Sequence, residues 1–308
     1  EIEAFTPVEY WSIDANLKGD AGVPFVASLK EVGGEKIEIG DEKTATEIGK
    51  RLRGADYHVT KVEKKSRRRR PSAPFITSTM QQDAARRLGF STKKTMMLAQ
   101  QLYEGIELGD AGPVGLITYM RTDSVRISAE AQAQTRDWLL ENHGADYVPE
   151  KPNEYKVKGK AQEAHEAIRP TDVAILPEQI EKNLTKDQFR LYELVWRRFV
   201  ASQMTPALVD QTGVDITAAD CLLRATGSVT VFPGHLAVYA ADKKNGKNGE
   251  SNELPPIAEG ETPVLVDPGV VEEQHFTQPP PRYSEASLVK ALEEEGIGRP
   301  STYASIIS

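Results

Sequence analysis

The chain has 308 residues, 39% hydrophobic and 27% charged, with a formal net charge of −8. No run of about 18 apolar residues occurs, which excludes a membrane-spanning helix. The single cysteine, Cys221, excludes an internal disulfide and any CxxC zinc site within this stretch. The chain opens on EIEAF without a signal peptide and closes on IIS inside an apolar stretch. It therefore reads as a piece of a longer intracellular chain holding two or three domains.

Residues 1–63 read mostly as strands, with VPFVASLKEV and KIEIG carrying β-branched residues between Gly, Pro and Asp. DEKTATEIGKRLRG (41–54) reads as one short helix stopped by Gly54. YHVTKVEKK alternates again, and the basic run that follows, with PSAP at 71–74, reads as a connector. From Lys61 to Ala99 eleven lysines and arginines face only Glu63 and Asp83, a local +9 that leaves −17 on the remainder of the chain. Such a patch can hold a phosphate backbone on an acidic protein, because attraction acts over about a Debye length of 10 Å. For Lys64–Arg70 alone a solvated linker is the equal alternative.

Residues 75–205 are richer in helical signals. In TSTMQQDAARRLGF, Ser78 or Thr79 can cap, Met80, Ala84 and Leu88 share a face, and Gly89 stops the helix. A second helix runs from Ser91 or Thr92 to Gly105, with Met96, Ala99 and Leu102/Tyr103 as its core side. Another opens at Ser128 and ends near Gly144. The strongest covers Lys186–Met204, capped by Thr185 with Gln188 closing a capping box; Phe189, Tyr192, Val195, Trp196 and Phe199 form its buried stripe. Residues 206–277 return to β character (LVDQTGVDIT, CLLRAT, VTVF, HLAVYA), with a polar, mobile loop expected at 241–261. After PPPR a helix spans about Glu285 to Glu295, Gly296 ends it, and a new one begins at Arg299-Pro300-Ser301-Thr302. The pattern predicts an α+β multidomain chain: a β-rich domain of residues 1–74 and 206–277, interrupted by a helical domain of 75–205, then the beginning of another helical domain at 278–308.

Three stretches carry chemistry. In GLITYMRTDS (115–124), Leu-Ile-Thr reads as a short strand and RTDS as its exit. Alternation puts Tyr119 and Arg121 on one side, roughly 6–7 Å apart. A phosphodiester there could meet an attacking phenol and a charge-neutralising guanidinium. A buried tyrosine beside an Arg121–Asp123 ion pair is the alternative. In AQEAHEAIRP (161–170) the HE pair invites zinc, but a second histidine is needed four residues on and Arg169 stands there, so zinc is rejected. His165, between a Glu and an Arg, is left structural or catalytic. In GIGRPSTY (296–303) an arginine and two hydroxyls at a helix start suit a phosphate, or simply a cap. No GxxxxGK[ST] phosphate loop is present.

Taken in order, PFITSTMQQDAARRLGFSTKKTMMLAQQLYEG, YMRTDS, AHEAIRP, VWRRFVASQMTPA and GIGRPSTYASII resemble bacterial topoisomerase I, of the type IA DNA topoisomerase family. The resemblance covers nearly the whole chain, least closely at 12–60, 145–160 and 236–270. It implies a toroidal fold in which this chain supplies the β-rich arch, the helical domain bearing the nucleophilic tyrosine, and the first part of a strand-binding domain. It implies an ATP-independent isomerase that opens one DNA strand through a 5′-phosphotyrosine link, passes a strand, reseals and relaxes negative supercoils. Tyr119 matches the nucleophile and Arg121 the arginine on the scissile phosphate. His165 matches a histidine near the active site, with Asp123 as its partner, and Arg169 a further contact to DNA. Arg299, Ser301 and Thr302 match a segment that grips the single strand. The family's acidic Mg²⁺ site has no counterpart here, since no DxDxE-like run occurs in the 308 residues. No metal ligand is therefore assigned, Mg²⁺ is assigned to the parent's N-terminal metal-binding domain, and the fragment alone is expected to be inactive. The expected partner is single-stranded or negatively supercoiled DNA, bound by a monomer in the bacterial cytoplasm at the nucleoid, with no membrane involved. The alternative for the isolated chain is a non-catalytic single-strand-binding module.

Overall fold

The computed structural model describes residues 1–109, 112–155, 165–240 and 253–307. In chain order its elements are β1 (Glu9–Lys18), β2 (Pro24–Val32), β3 (Glu35–Lys36), α1 (Glu42–Arg53), β4 (Tyr57–Arg69), α2 (Thr77–Asp83), α3 (Thr92–Glu104), β5 (Ile106–Glu107), β6 (Pro113–Val114), α4 (Ala129–Asn142), α5 (Pro177–Ile180), α6 (Lys186–Ser202), β7 (Ala207–Ala218), β8 (Cys221–Phe232), β9 (Val264–Phe276), α7 (Glu285–Glu294) and α8 (Tyr303–Ile307). They form two compact units. Within the described residues, one takes in 1–68, 208–232 and 253–281, and the other 69–207, 233–240 and 282–307.

The β unit is built on a sheet in the order β4-β7-β8-β2-β1-β9, with β3 beside β2. Both β stretches of the sequence thus share one sheet. β8 lies antiparallel to β2, and β9 antiparallel to β1 from Glu9↔Phe276 to Lys18↔Val264. Alternation sorts the faces: Ile13, Ala15 and Leu17 of β1, Phe25 and Ala27 of β2, Val214 and Ile216 of β7, and Leu223 and Ala225 of β8 are buried together. Helix α1 closes that face with Ala45, Ile48 and Leu52, spaced by three and four residues. Its N-terminus is capped by Asp41, whose carboxylate accepts from the Thr44 N–H at 2.8 Å. Cys221 is buried in this core, and burial pushes its thiol up to about 11, which removes it from thiolate chemistry.

The helical unit packs around α6. Thr185 and Gln188 complete the capping box reciprocally, at 3.3 and 2.9 Å. Tyr192 and Trp196 bury their rings and satisfy their polar tips on the Ile175 and Val173 carbonyls, at 2.7 and 3.0 Å. Around them lie Phe75, Met80, Leu98, Leu102, Leu116, Ile117, Met120 and Ile168.

Several elements differ from the expectation. The basic run is no connector: β4 continues through it to Arg69. KIEIG supplies only β3 and a single Trp11↔Ile39 bridge, and Leu-Ile-Thr only an Ile117↔Pro170 bridge. The first helix of the 75–205 block starts early, after Ile76, whose N–H donates to Thr79 Oγ1 at 3.0 Å, and it widens into a π turn, Ala84–Leu88, before Gly89. HLAVYA reads as a strand but opens a 3-10 turn, Gly234–Ala237. Gly234 sits at φ 48 with its Cα against the Thr205 and Pro206 carbonyls, where a Cβ would lie 2.6 Å from each oxygen. Residues 282–307 pack within the helical unit, α7 on α2 and α8 on α3, and the Glu285 carboxylate accepts from the Thr92 N–H at 2.6 Å. Of the stretch expected as a mobile loop, 241–252 lies outside the described residues; beyond it, Glu259 Oε1 accepts from the Val62 N–H at 2.9 Å and ties that end to β4.

Candidate active site

Residues 115–124 hold almost no regular structure, yet hydrogen bonds fasten the backbone at every second residue, 116, 118, 120, 122 and 124. The Leu116 N–H donates to Leu102 O at the end of α3 (2.7 Å), and Leu116 O accepts from the Thr171 N–H (3.0 Å). Thr118 then stitches the segment to 167–169. Its N–H donates to Arg169 O (2.9 Å), and its hydroxyl donates to Ala167 O (2.6 Å) and accepts from the Arg169 N–H (3.0 Å). One turn further, the buried Thr77 hydroxyl at the start of α2 accepts from the Thr122 N–H at 2.9 Å and donates to Met120 O at 2.7 Å.

This anchoring imposes strict alternation. Met120, Thr122 and Ser124 are 0%, 1% and 0% exposed, whereas Tyr119, Arg121 and Asp123 face solvent, Tyr119 at 42%. Arg121 and Asp123 form no ion pair with each other. Neither condition of the buried-tyrosine alternative is met. The Tyr119 ring stands edge-to-face against Tyr103 (5.5 Å, 66°) and against half-buried His165 (6.2 Å, 67°). The phenol is thereby oriented by two rings while its side remains open.

Arg169 is otherwise engaged. Its Nε and Nη2 fork onto Glu166 Oε2 at 3.0 and 2.7 Å, its Nη1 donates to Pro170 O, and its side chain is 12% exposed. It braces the 165–170 segment from within, so contact with a DNA strand requires exchange of these bonds. Arg299, Ser301 and Thr302 are exposed at the entry to α8. Thr302 Oγ1 accepts from the Arg299 N–H at 2.9 Å, and Arg299 Nη1 donates to Gly298 O at 2.8 Å. Gly298, at φ 83, leaves room for the Tyr303 ring, which a Cβ would meet at 3.2 Å. The phenol of buried Tyr303 is raised by burial first, then by Glu293, lowered by Arg299 and raised by Asp123.

Among the described residues no three His, Cys, Asp or Glu side chains converge as a metal site. Sequence reasoning missed three participants. Tyr103 reads as core from its spacing in α3 but is 41% exposed; its signal is its place in LAQQLYEG, at the helix end. Thr77 and Thr118 are single hydroxyls whose partners are distant backbone groups, and no spacing rule reports those.

A family model described as DNA topoisomerase matches residues 1–308. The chain is 52% identical, over 100% of its length and 39% of the relative's, to DNA topoisomerase 1 of Xylella fastidiosa strain Temecula1. It is 46% identical to DNA topoisomerase 1 of Rickettsia felis, over 100% of this chain and 40% of that one. Among solved structures, full-length topoisomerase I from Thermotoga maritima superposes with a TM-score of 0.81 at 38% identity, covering 99% of this chain and 47% of that one. The chain thus spans about two-fifths of the length of these curated relatives.

Proposed function

We propose, because this chain belongs to the DNA topoisomerase family, that it is the tyrosine-bearing part of a type IA enzyme and that Tyr119 carries the strand break. The phenolic oxygen attacks phosphorus, the bond from phosphorus to the 3′ oxygen breaks, and the 5′ end stays on Tyr119 as a phosphotyrosine. The departing 3′ oxygen takes up a proton as the phenol gives one up. Resealing is the same step reversed, with phenoxide a better leaving group than an alkoxide. The energy of the phosphodiester is kept in the link, which accounts for relaxation of negative supercoils without ATP. Arg121 neutralises the equatorial oxygens as charge develops, and His165 with Tyr103 holds the attacking ring. Asp123 works beside His165 on proton position. Arg299, Ser301 and Thr302, with Arg121 and Arg169, hold the single strand. Mg²⁺ would supply further charge stabilisation from acidic ligands that the described residues do not gather. We place the whole enzyme, acting as a monomer, on nucleoid DNA in the bacterial cytoplasm.

The observation that carries this reading is the alternation at 119–124: a solvent-facing phenol and an uncommitted guanidinium on a backbone pinned from behind. The test is a denaturant-resistant protein–DNA adduct trapped from the full-length enzyme and mapped by peptide sequencing. It should fall on Tyr119 and vanish in Tyr119→Phe with fold and DNA binding intact; an adduct on another tyrosine overturns the assignment. The absence of convergent carboxylates among the described residues favours a second reading for the chain by itself, a strand-binding module that does not cleave.

A further inference from the structure

We infer that the basic half of β4 is a second DNA contact, one that takes a duplex by its phosphates. Lys61, Lys64, Lys65, Arg67 and Arg68 stand against one acid, Glu63. That carboxylate is already shared by Lys61 (3.9 Å), Lys65 (3.0 Å) and Arg224 (3.8 Å), and these cations hold its pKa down. Lys64, Arg67 and Arg68 have no acidic partner among the described residues, and every residue from Lys64 to Arg68 is exposed. A flexible tail would spend entropy to present these charges, whereas here the strand conformation already fixes them. From Lys61 to Arg68 the strand extends about 23 Å, the reach of roughly seven phosphates along one strand of a duplex.

Two features choose the occupant. β4 is the terminal strand of its sheet, and Glu259 and the 259–261 backbone cover it only as far as Val62. The charged half therefore lies open to a long, rod-like partner. No aromatic ring occurs between Lys61 and Arg68, so nothing there stacks on bases, the device by which single strands are usually held. Attraction to phosphate alone favours the duplex, whose axial charge density is highest. This contact sits in the β unit, whereas Tyr119 belongs to the helical unit. The choice of DNA among polyanions rests on the function proposed above; the charge and exposure do not.

The experiment measures binding of the 308-residue chain to a 30-base-pair duplex, a single strand of the same length and polyglutamate, from 50 to 200 mM salt. Neutralising Lys64, Arg67 and Arg68 to glutamine should lower the log–log salt slope for the duplex by about three, so that the wild type loses about 40-fold more affinity than the variant across that range. Arg67→Lys with Arg68→Lys should keep the wild-type slope, since point charge suffices, and this controls for folding. An unchanged slope in the glutamine variant, no duplex binding by the wild type, or polyglutamate bound as tightly as DNA would each overturn the inference, the last pointing to an acidic protein instead. Failure of the Tyr119 assignment looks different: the adduct is missing while the duplex slope stands.

Discussion

At the residue scale, exposure sets Tyr119 apart from five tyrosines that the fold withdraws from solvent. Burial pushes the phenol of Tyr57 up to about 12, and raises those of Tyr155, Tyr192, Tyr239 and Tyr303 as well. Tyr192 and Tyr155 are further tied to backbone carbonyls at 2.7 Å. Tyr119 instead stands on the outward register, its ring 42% exposed. Its orientation then depends on Tyr103, so Tyr103→Leu should slow single-turnover cleavage by about 3–10-fold, the worth of one aromatic pair. Strand affinity should stay near wild type, and Tyr103→Phe should restore the rate. Arg121→Lys keeps charge but loses the planar fork, and partial loss of cleavage with an intact fold is expected. That Tyr119 and Arg121 share one side was legible in the sequence because it needs only period two; that this side faces outward was not, since a buried tyrosine fits the same alternation. The grip of Thr77 was not, because it joins residues 45 positions apart. Thr77→Val keeps the volume but strands the Thr122 N–H and Met120 O in a buried place. A loss of about 2 kcal/mol in denaturant unfolding should follow, with cleavage reduced alongside.

At the element scale, caps were the most readable feature. Ser91, Ser128, Thr185 and Ser284 each accept a hydrogen bond from the third residue of the helix they open. Polar side chains at helix starts act locally, so local sequence finds them. Long-range pairing does not announce itself. Arg and Lys are poor strand formers, yet β4 runs through them because it is carried at the edge of the sheet beside β7. HLAVYA alternates well enough for a strand, but the Gly234 turn folds His235 inward. There it is 6% exposed, and burial first, then Arg69 and Arg198, lowers its pKa to about 4. An unfolded histidine titrates near 6.5. Below that value the unfolded chain binds a proton that the folded one refuses, so stability is full above pH 6.5 and falls as pH drops toward 4. The loss should reach about 3 kcal/mol, read as urea midpoints across that window. His235→Leu should flatten most of the slope; an equally steep slope in that variant would assign it to other groups.

At the scale of the whole molecule, the interleaving of distant segments limits what the chain can do alone. The sheet draws on both ends of the sequence, and the helical unit borrows 233–240 and 282–307 from beyond it. The expectation that the β stretches flank an inserted helical block follows from composition. The adherence of 282–307 to α2 and α3 does not, because Pro and Gly near 279–298 look like a boundary whichever unit receives the helices. The completed helical unit presents the Tyr119 phenol, the Arg121 guanidinium and the Ser301 and Thr302 hydroxyls to solvent. Breaking a phosphodiester also requires help for the departing 3′ oxygen, an alkoxide far more basic than the attacking phenoxide. A bound cation or positioned acid normally supplies that help. Glu166 is committed to Arg169, and no carboxylate cluster gathers among the described residues. The 308-residue chain with Mg²⁺ should therefore bind DNA yet leave a negatively supercoiled plasmid unrelaxed. Addition of the part of a full-length relative that lies outside this chain's span should restore adduct formation at Tyr119. Robust relaxation by the chain alone would mean that the leaving oxygen is assisted from within these residues, with His165 the first group to substitute.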